Sequence, residues 1–452
     1  MRKINKWKVG MPVLLIISLL SIQARSQSTN ITIRTAIELA LANNPSLKAD
    51  SLNRQIAAHQ VGIAKAALLP QVNFNSKAEY NPAIATQMLP GAIAGQPSKE
   101  FVPVQFGTSY NMGNGVEATQ TIFKKSSRLQ VDAARLNTGI SETKYQLSQE
   151  DLVFRVATAW YELQSSTAMI RTTRKDHDNI REIAAIAKAQ YESGVLKRID
   201  YESLQINAAN IQSQLNQLQS GYDEQLAYFK YLLGVPADAA LTITEDIHSA
   251  AITPEGAAYL TSRADVNLYR QLIQAKELDI KSIKAEKGPS VSAYFRFNYN
   301  AQYNQLSDAT KNDYWYKSST VGITTTIPIF DGYRRKSRLH LAQSELKQLQ
   351  FRSEQQQQLA NTEWETANTT LGSDRRQVKI TQDNLVLAEQ VYQSRKALYT
   401  EGVTSLIELL DAERELSQSR NLHTQALISV QTSLVNTHKA NGTLLTSFIN
   451  SL

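Results

Sequence analysis

Two long stretches without proline constrain the fold of this chain more than any other feature of its sequence. The first lies between Pro103 and Pro236, and the second runs from Pro328 to the C-terminus. Because proline interrupts helix interiors, such stretches permit helices much longer than those of ordinary globular domains. A helix over residues 124–190 would extend for about 100 Å at about 1.5 Å per residue.

The two stretches also resemble each other, which indicates a tandem duplication. Residues 191–195 (Tyr-Glu-Ser-Gly-Val) match residues 399–403 (Tyr-Thr-Glu-Gly-Val) at an offset of 208 positions. Upstream, residues 69–72 match residues 288–291 at an offset of 219 positions. We therefore predict two structural repeats, residues 27–235 and 266–452, joined by a connector at 236–265.

Each repeat is predicted to contain a helix, two strands and a long antiparallel helical hairpin. In the first hairpin, Val156, Leu163 and Ile170 recur every seven residues, which is typical of packed helical seams. The predicted ranges are 37–67, 72–81, 115–123 and 124–233 in the first repeat, and 266–286, 291–303, 319–329 and 331–445 in the second. The fold class is thus mainly α with a small β part.

The predicted strands alternate apolar and polar side chains. We expect one face to carry Val72, Phe74, Phe295, Phe297, Tyr299, Val321 and Ile323. Such alternation fits a membrane barrel with lipid on one side and water on the other, but also a soluble antiparallel sheet with one buried face. Four strands cannot close a membrane barrel, which needs at least about eight, so two or three chains would have to share one.

The N-terminal residues 1–26 are predicted to be a signal peptide. They contain five basic and no acidic residues around an apolar core that is too short to span a bilayer. Without them the chain has 43 basic against 41 acidic residues, so its overall charge does not favour nucleic-acid binding. We find no catalytic, cofactor or metal motif and no cysteine, so we expect neither an enzyme nor a metal site.

The order of several short motifs resembles the TolC family of outer-membrane efflux proteins. The motifs are Leu-Leu-Pro-Gln-Val at 68–72, Thr-Gln-Thr-Ile-Phe at 119–123, Thr-Ala-Trp-Tyr-Glu-Leu at 158–163, Ile-Pro-Ile-Phe-Asp-Gly at 327–332, Leu-Leu-Asp-Ala-Glu at 409–413 and the two repeated segments above. The resemblance implies a homotrimer in the outer membrane of a Gram-negative bacterium, with a shared twelve-stranded barrel, an α-helical tunnel in the periplasm and an equatorial connector. It also implies an exit duct for efflux or type I secretion. Its partners would be a periplasmic adaptor (membrane fusion protein), an inner-membrane pump of the RND or ABC type, and outer-membrane lipid.

The same resemblance assigns functional residues near the two hairpin turns. It implies a periplasmic gate formed by Asp200, Tyr399, Glu408 and Asp411. It places the family's basic partner of the tyrosine on Thr404, so Lys197 or Arg198 would have to replace it. The implied adaptor-docking tips are Gly194, Val195, Leu196, Gly402, Val403 and Thr404.

Purely structural interpretations of these residues remain open. Ser405 and Glu408 have the spacing of a helix capping box, and glycines at 194 and 402 suit turns. His177 and His423 are expected to pack between helices rather than bind metal. For the whole chain, the competing interpretation is an exported soluble coiled-coil scaffold or adaptor-like protein.

Overall fold

A computed structural model describes residues 29–243 and 263–449 of the chain. The predicted signal peptide and most of the predicted connector therefore lie outside the described residues. The described part consists mostly of helices, together with a four-stranded antiparallel sheet, a small antiparallel hairpin and one short parallel strand pair. In chain order the elements are β1 (Thr29–Ile31), α1 (Ile33–Asn43), α2 (Pro45–Ala66), β2 (Gln71–Tyr80), β3 (Thr86–Pro90), β4 (Phe101–Gln105), β5 (Tyr110–Lys124), α3 (Lys125–Glu192), α4 (Arg198–Leu233), β6 (Leu241–Ile243), α5 (Ala264–Ala285), β7 (Ser290–Tyr303), β8 (Trp315–Thr326), α6 (Arg334–Thr400), α7 (Leu406–Asn441) and α8 (Leu444–Ile449).

The main sheet has four antiparallel strands in the order β2-β5-β7-β8. Its central pair, β5 and β7, comes from different repeats, so the sheet joins the two halves of the chain. One row of directly paired residues crosses all four strands through Val72, Ala118, Phe295 and Val321. Because paired residues share a face of a sheet, this register places all seven predicted apolar strand residues on the same face.

The opposite face of the sheet is polar and carries an ion pair. Arg296 Nε lies 2.8 Å from Glu117 Oε1 on the neighbouring strand. Asn298 and Asn300 follow Arg296 at alternate positions of β7. This face is suited to contact with water.

The helices that flank the strands along the chain pack in the same side-by-side order as the strands themselves. Next to the sheet, α2, α3, α5 and α6 pack side by side, and at the far end α4 packs on α3, α3 on α7, and α7 on α6. A core of seventeen buried residues lies where the two arrangements meet, around Trp160, whose ring centroid is 5.9 Å from that of Phe229. Burial of these two large aromatic rings adds to the apolar stabilisation from the surrounding aliphatic side chains.

The duplication also appears as two equivalent clamps between a helix start and a helix end. In the first repeat, Asn44 Nδ2 donates to the carbonyl oxygen of Leu232 at 2.9 Å. In the second, Arg263 Nη1 donates to the carbonyl oxygen of Ala440 at 3.0 Å. The offsets of 219 and 208 positions relate these residues pairwise, so the repeats share contacts as well as element order.

Several predicted boundaries differ from the structure. The strand predicted at 115–123 is longer (Tyr110–Lys124), and the one predicted at 319–329 lies earlier (Trp315–Thr326), because Pro328 cannot continue the ladder. The final hairpin helix ends at Asn441 rather than 445, since Gly442 adopts a left-handed φ of 72°. Strands β3 and β4, which form a separate hairpin, were missed because they lie in a segment rich in proline and glycine.

Within residues 29–243 and 263–449, none of the helices combines the length and apolar character needed to cross a bilayer.

Candidate functional site

The two hairpin turns have nearly identical backbones. Gly194 and Gly402 adopt left-handed φ values of 78° and 77°. At each turn the next residue donates to a carbonyl five positions back, Val195 to Gln190 and Val403 to Leu398, both at 2.9 Å. This is the hydrogen bond of a glycine-terminated helix, so the sequence folds locally into a tight reversal.

Both turns expose apolar side chains to solvent. Val195 is 78% exposed and Val403 is 69% exposed, and each is followed four residues later by an exposed isoleucine, Ile199 or Ile407. Each tip therefore exposes two apolar side chains, one in the turn and one in the first turn of the following helix. Exposed apolar patches of this kind are typical of protein contact sites.

The helices behind the tips are held together by a cluster that includes Tyr399. Tyr399 is only 4% exposed, and its hydroxyl donates to Gln190 Oε1 across the two hairpins at 2.8 Å. Burial raises the pKa of Tyr399, and the negative charge of Asp200 raises it further. The equivalent tyrosine of the first repeat, Tyr191, is instead exposed and stacks on Tyr201 with ring centroids 5.7 Å apart.

Glu408 is engaged at both its backbone and its side chain. Its amide donates to Ser405 Oγ at 3.3 Å, which is the serine half of the capping box expected from the sequence. Its carboxylate accepts a hydrogen bond from Thr404 Oγ1 at 2.7 Å and forms a close ion pair with Arg395. Arg395 is therefore the basic group next to Thr404, whereas Arg198 pairs with Glu202 on its own helix.

Asp411 lies one helical turn beyond Glu408 on the exposed surface of α7. Its Oδ1 is 3.1 Å from Arg414 Nη1, and both side chains are more than half exposed. Exposed ion pairs of this kind contribute little to stability, so α7 does not depend on Asp411 for its folding. The structure thus places Asp200 beside Tyr399, while Glu408 and Asp411 occupy separate ion pairs.

A partly buried ionic cluster connects α3, α6 and α7 farther from the tips. Asp176 accepts a hydrogen bond from Ser417 Oγ at 2.5 Å and lies 3.4 Å from Arg420 Nη1. Arg420 also contacts both carboxylate oxygens of Glu389, at 3.0 and 3.2 Å. This arrangement ties the two hairpins to each other.

Glu413 adds a third carboxylate beside this ionic cluster. It is only 6% exposed, and within the described part of the chain its Oε1 has no hydrogen-bond partner. Burial and the nearby charge of Asp176 raise the pKa of Glu413 to about 7. Tyr392 is buried close by, and burial together with Glu413 raises the pKa of Tyr392 to about 12.

The sequence did not reveal Gln190, Arg395 or the ionic cluster. Their partners lie 13 to 244 positions away, so no local motif records them. The repeat offset of 208 positions relates Tyr191 to Tyr399, so the sequence alone could have identified them as equivalent residues.

Of the two histidines, His423 Nδ1 lies 3.2 Å from Thr381 Oγ1 of α6, and His177 Nδ1 lies 3.7 Å from Asp178.

This fold is that of one subunit of a barrel-and-tunnel channel. A four-stranded sheet with one apolar and one polar face forms its part of the barrel, and the long helices that continue the strands form its part of the tunnel. The profile of the outer membrane efflux protein family matches residues 36–235 and 258–443. Because this match covers most of the chain, the protein belongs to that family. It is a passive outer-membrane channel rather than an enzyme, and the resemblance stated above is confirmed.

Similar proteins span nearly the whole chain. Outer membrane protein TolC of Escherichia coli is 22% identical over 464 residues, which cover 96% of this chain and 86% of TolC. The cation efflux system protein CusC of the same species is 23% identical and covers 86% of this chain and 81% of CusC. Among solved structures, the CmeC outer-membrane channel of Campylobacter jejuni superimposes with a TM-score of 0.76 at 17% identity, covering 98% and 94% of the two chains.

These similarities confirm the predicted fold class and location. A CusC structure also superimposes with a TM-score of 0.76 at 21% identity over 97% of this chain and 98% of that one. The protein is located in the outer membrane, with its helical tunnel in the periplasm. Proteins of the family are trimeric exit ducts that work with an adaptor and an inner-membrane pump.

Proposed function

We propose that this protein is the exit duct of a tripartite efflux or type I secretion system, gated at the periplasmic end of its helical tunnel. The pump supplies the energy, and the duct itself performs no chemistry. The sheet, with one apolar and one polar face, supports this proposal most directly. Its apolar face suits lipid, and its polar face, with the Arg296–Glu117 ion pair, suits a water-filled lumen.

The gate of this duct consists of Asp200, Tyr399, Glu408 and Asp411. In a trimer each residue occurs three times around one axis, so carboxylates near that axis form rings of negative charge. Such rings attract cations and impede the passage of anions. The hydrogen bond between Tyr399 and Gln190 supports this proposal, because it links the two hairpins whose separation would widen the opening.

The adaptor docks on the hairpin tips, at Gly194, Val195, Leu196, Gly402, Val403 and Thr404. The exposed Val195 and Val403 support this assignment, because each is apolar and lies at a turn that no other element covers closely. An added Cβ at either glycine would meet nothing within 4 Å. The adaptor belongs to the membrane fusion proteins, and the pump is of the RND or ABC type.

The division of the chain follows from this function. Residues 1–26 are a signal peptide for export, and the repeats 27–235 and 266–452 each contribute two barrel strands and one hairpin. Residues 236–265 form a connector at the equator of the tunnel. Outer-membrane lipid surrounds the apolar face of the sheet.

Membrane extraction tests the duct against the competing scaffold. We expect the protein to stay in the membrane during a high-salt wash, to be extracted by mild detergent as a trimer, and to conduct ions in planar bilayers. Release by salt as a monomer would overturn the duct and favour an exported coiled-coil scaffold. The apolar face of the sheet would then have to be covered by protein.

Photo-cross-linking in the native cells tests the tips. A photoreactive amino acid at position 403 should form an adduct with a periplasmic adaptor, and one at position 380, an exposed site on the middle of α6, should not. Val403→Glu should reduce adaptor recovery, whereas the similarly shaped Val403→Thr should retain it. Adaptor adducts from position 380 but none from positions 195 and 403 would place docking elsewhere.

A further inference from the structure

The positive charge of the chain is concentrated where the strands meet the helices. Residues 124–128, 281–287 and 331–338 contain ten basic residues against two acidic ones, although residues 27–452 as a whole carry 43 against 41. These three segments end β5, precede β7 and follow β8. We call them the basic belt. A charge excess confined to this level of the molecule points to a ligand located there.

One cavity lies within the basic belt. It has a volume of about 480 Å³ and separates the first turn of α3 from the last turn of α5. Its walls combine positive charge with apolar surface, and the side chains that matter here are Phe123, Lys125, Leu129, Lys281, Lys284 and Lys287.

The lysines of this cavity have no competing acid. The cavity has four lysines: Lys125, Lys281, Lys284 and Lys287. Within the described part of the chain, none of them has an ion-pair partner within 4 Å. The nearest acids along the chain are Asp279 and Glu286. Asp279 pairs with Lys276, and Glu286 pairs with Arg338, whose Nη1 lies 2.8 Å from its Oε2. Four like charges around one cavity repel one another, so an anion between them would be favourable.

The position of the cavity identifies which anion would reach it. Phe123 pairs with Val291, so it lies on the same face as Phe295 and Phe297, the face that contacts lipid in the proposed duct. One wall of the cavity therefore belongs to that face, at its end nearest the periplasmic tunnel. The α3 and α5 helices are neighbours within one chain, so the cavity is not at a subunit edge.

We propose that this cavity binds the phosphate headgroup of an anionic phospholipid from the periplasmic leaflet of the outer membrane. Lys125, Lys281, Lys284 and Lys287 surround the phosphate, and Phe123, on the barrel side of the cavity, contacts the upper part of the acyl chains. Lysine ammonium groups suit this ligand because they act as mobile point charges with three donors each. The proposal rests on the membrane orientation of the sheet in the proposed duct, but it does not depend on transport or gating.

Lipid binding to the purified trimer tests the proposal directly. We expect a short-chain phosphatidylglycerol, titrated in neutral detergent by calorimetry, to bind the trimer with three equivalent sites. A basic side chain near an anionic lipid contributes about a fivefold factor in affinity. Lys281→Gln, Lys284→Gln and Lys287→Gln combined should therefore weaken binding about a hundredfold.

A matched variant separates the cavity from overall charge. Lys48→Gln, Lys347→Gln and Lys379→Gln combined remove the same charge from exposed sites outside the basic belt, and should change the affinity less than twofold. Equal effects of the two triple variants would overturn the proposal. If the cavity variant does not assemble, Lys284→Gln alone should still weaken binding about fivefold, and unchanged affinity in that variant would overturn it.

Two further probes distinguish the sources of phosphate. Inorganic phosphate at the same concentration should bind far more weakly than phosphatidylglycerol, because it lacks acyl chains, and zwitterionic phosphatidylcholine should bind more weakly than the anionic lipid. Equal affinity for inorganic phosphate would show a free-anion site and contradict the lipid proposal. A trimer that conducts ions but binds no lipid would remove this proposal while leaving the duct intact.

Discussion

Glu413 shows how a single buried residue can make the stability of the tunnel depend on pH. Its carboxyl lies among Asp176, Tyr392 and Arg420, and Arg414 is its other nearby positive charge. The pKa of Glu413 is about 7 in the folded protein against 4.5 for a solvated glutamate. The folded state therefore holds this proton more tightly than the unfolded state does.

The sign of the pH effect follows from this difference. At pH 4 the group is mostly protonated in both states, but as the pH rises from 4.5 to 7 the free energy of unfolding decreases progressively, because the unfolded state loses this proton first. Burial raises the pKa of Asp176 as well, so Asp176 acts in the same direction. Glu413→Gln should thus stabilise the protein at pH 8 by on the order of 2 kcal/mol and have little effect at pH 4.

The thermal midpoints of the purified trimer at several pH values measure this effect. The exposed Glu415→Gln on the same helix controls for the removal of one negative charge. A stabilisation by Glu413→Gln that is the same at pH 4 and pH 8, or that equals that of the control, would show that Glu413 is not the titrating group.

The acids of the proposed gate lead to a second prediction, in which two variants change the cation selectivity of the channel in opposite directions. Glu408→Gln combined with Asp411→Asn removes negative charge from the proposed constriction, so cation selectivity should fall. Arg395→Gln leaves Glu408 without its positive partner, so cation selectivity should rise. Reversal potentials of single channels under a salt gradient measure both. Unchanged potentials in both variants would place these groups away from the narrowest part of the pore.

How far the sequence predicts such residues depends on how local their contacts are. Ser405 and Glu408 were recognised as a cap because the motif spans four positions. Arg395 was missed because its partner Glu408 is 13 positions away across a turn, which no helix periodicity relates. Gln190 was missed for the same reason, since only tertiary packing brings it to Tyr399, 209 positions later.

At the scale of elements, the two clamps between helix starts and helix ends fix how each long hairpin joins the rest of its repeat. Gly234 and Gly442 end α4 and α7 in left-handed conformations. A Cβ on Gly234 would lie 2.7 Å from the backbone of Asn43, whereas one on Gly442 would meet the Cγ of Arg263 at 2.9 Å. Backbone cannot move aside as a long side chain can, so the first clamp is the less tolerant one.

Alanine substitutions test this difference. Gly194→Ala should lower the free energy of unfolding by only about 1 kcal/mol, the cost of a left-handed φ in alanine, because its Cβ would meet open space. Gly442→Ala should cost slightly more, and Gly234→Ala should cost roughly a further 1–3 kcal/mol through overpacking. Thermal midpoints of the three purified variants give the order directly. Equal losses in all three would show that the clamps do not constrain the hairpins.

The elements themselves were predicted unevenly, for physical reasons. Long helices were evident because proline is absent and apolar residues recur regularly over many turns. Strand β5 was predicted to begin at Gly115 but begins at Tyr110, because pairing with β2 and β7 extends it through glycine and asparagine positions that disfavour strands in isolation. The hairpin of β3 and β4 includes Pro90 and Pro103, which the sequence pattern assigns to a loop.

At the scale of the whole molecule, the sheet determines how copies must assemble. Strands β2 and β8 are its two edges, and an open edge in lipid would leave backbone groups without hydrogen bonds. In the trimer of this family, β8 of one copy can pair with β2 of the next, which closes twelve strands into one barrel. The apolar face then surrounds the barrel, and the basic belt lies just below it on the tunnel side.

This orientation makes a last prediction about membrane insertion. Phe297 lies in the middle of β7, on the same row as Val116 and Phe74, so Phe297→Arg would place a charge against lipid. Near the middle of the membrane such a charge costs about 2–4 kcal/mol, and the amount of inserted trimer should fall. Asn300→Arg is the matched control, because residue 300 lies on the polar face of the same strand and its charge would enter the water-filled lumen. Native electrophoresis of detergent extracts from outer membranes compares the two trimer levels. If Phe295→Arg and Phe297→Arg both gave as much trimer as Asn300→Arg, the apolar face would not contact lipid, and this assignment of the two strand faces would be wrong.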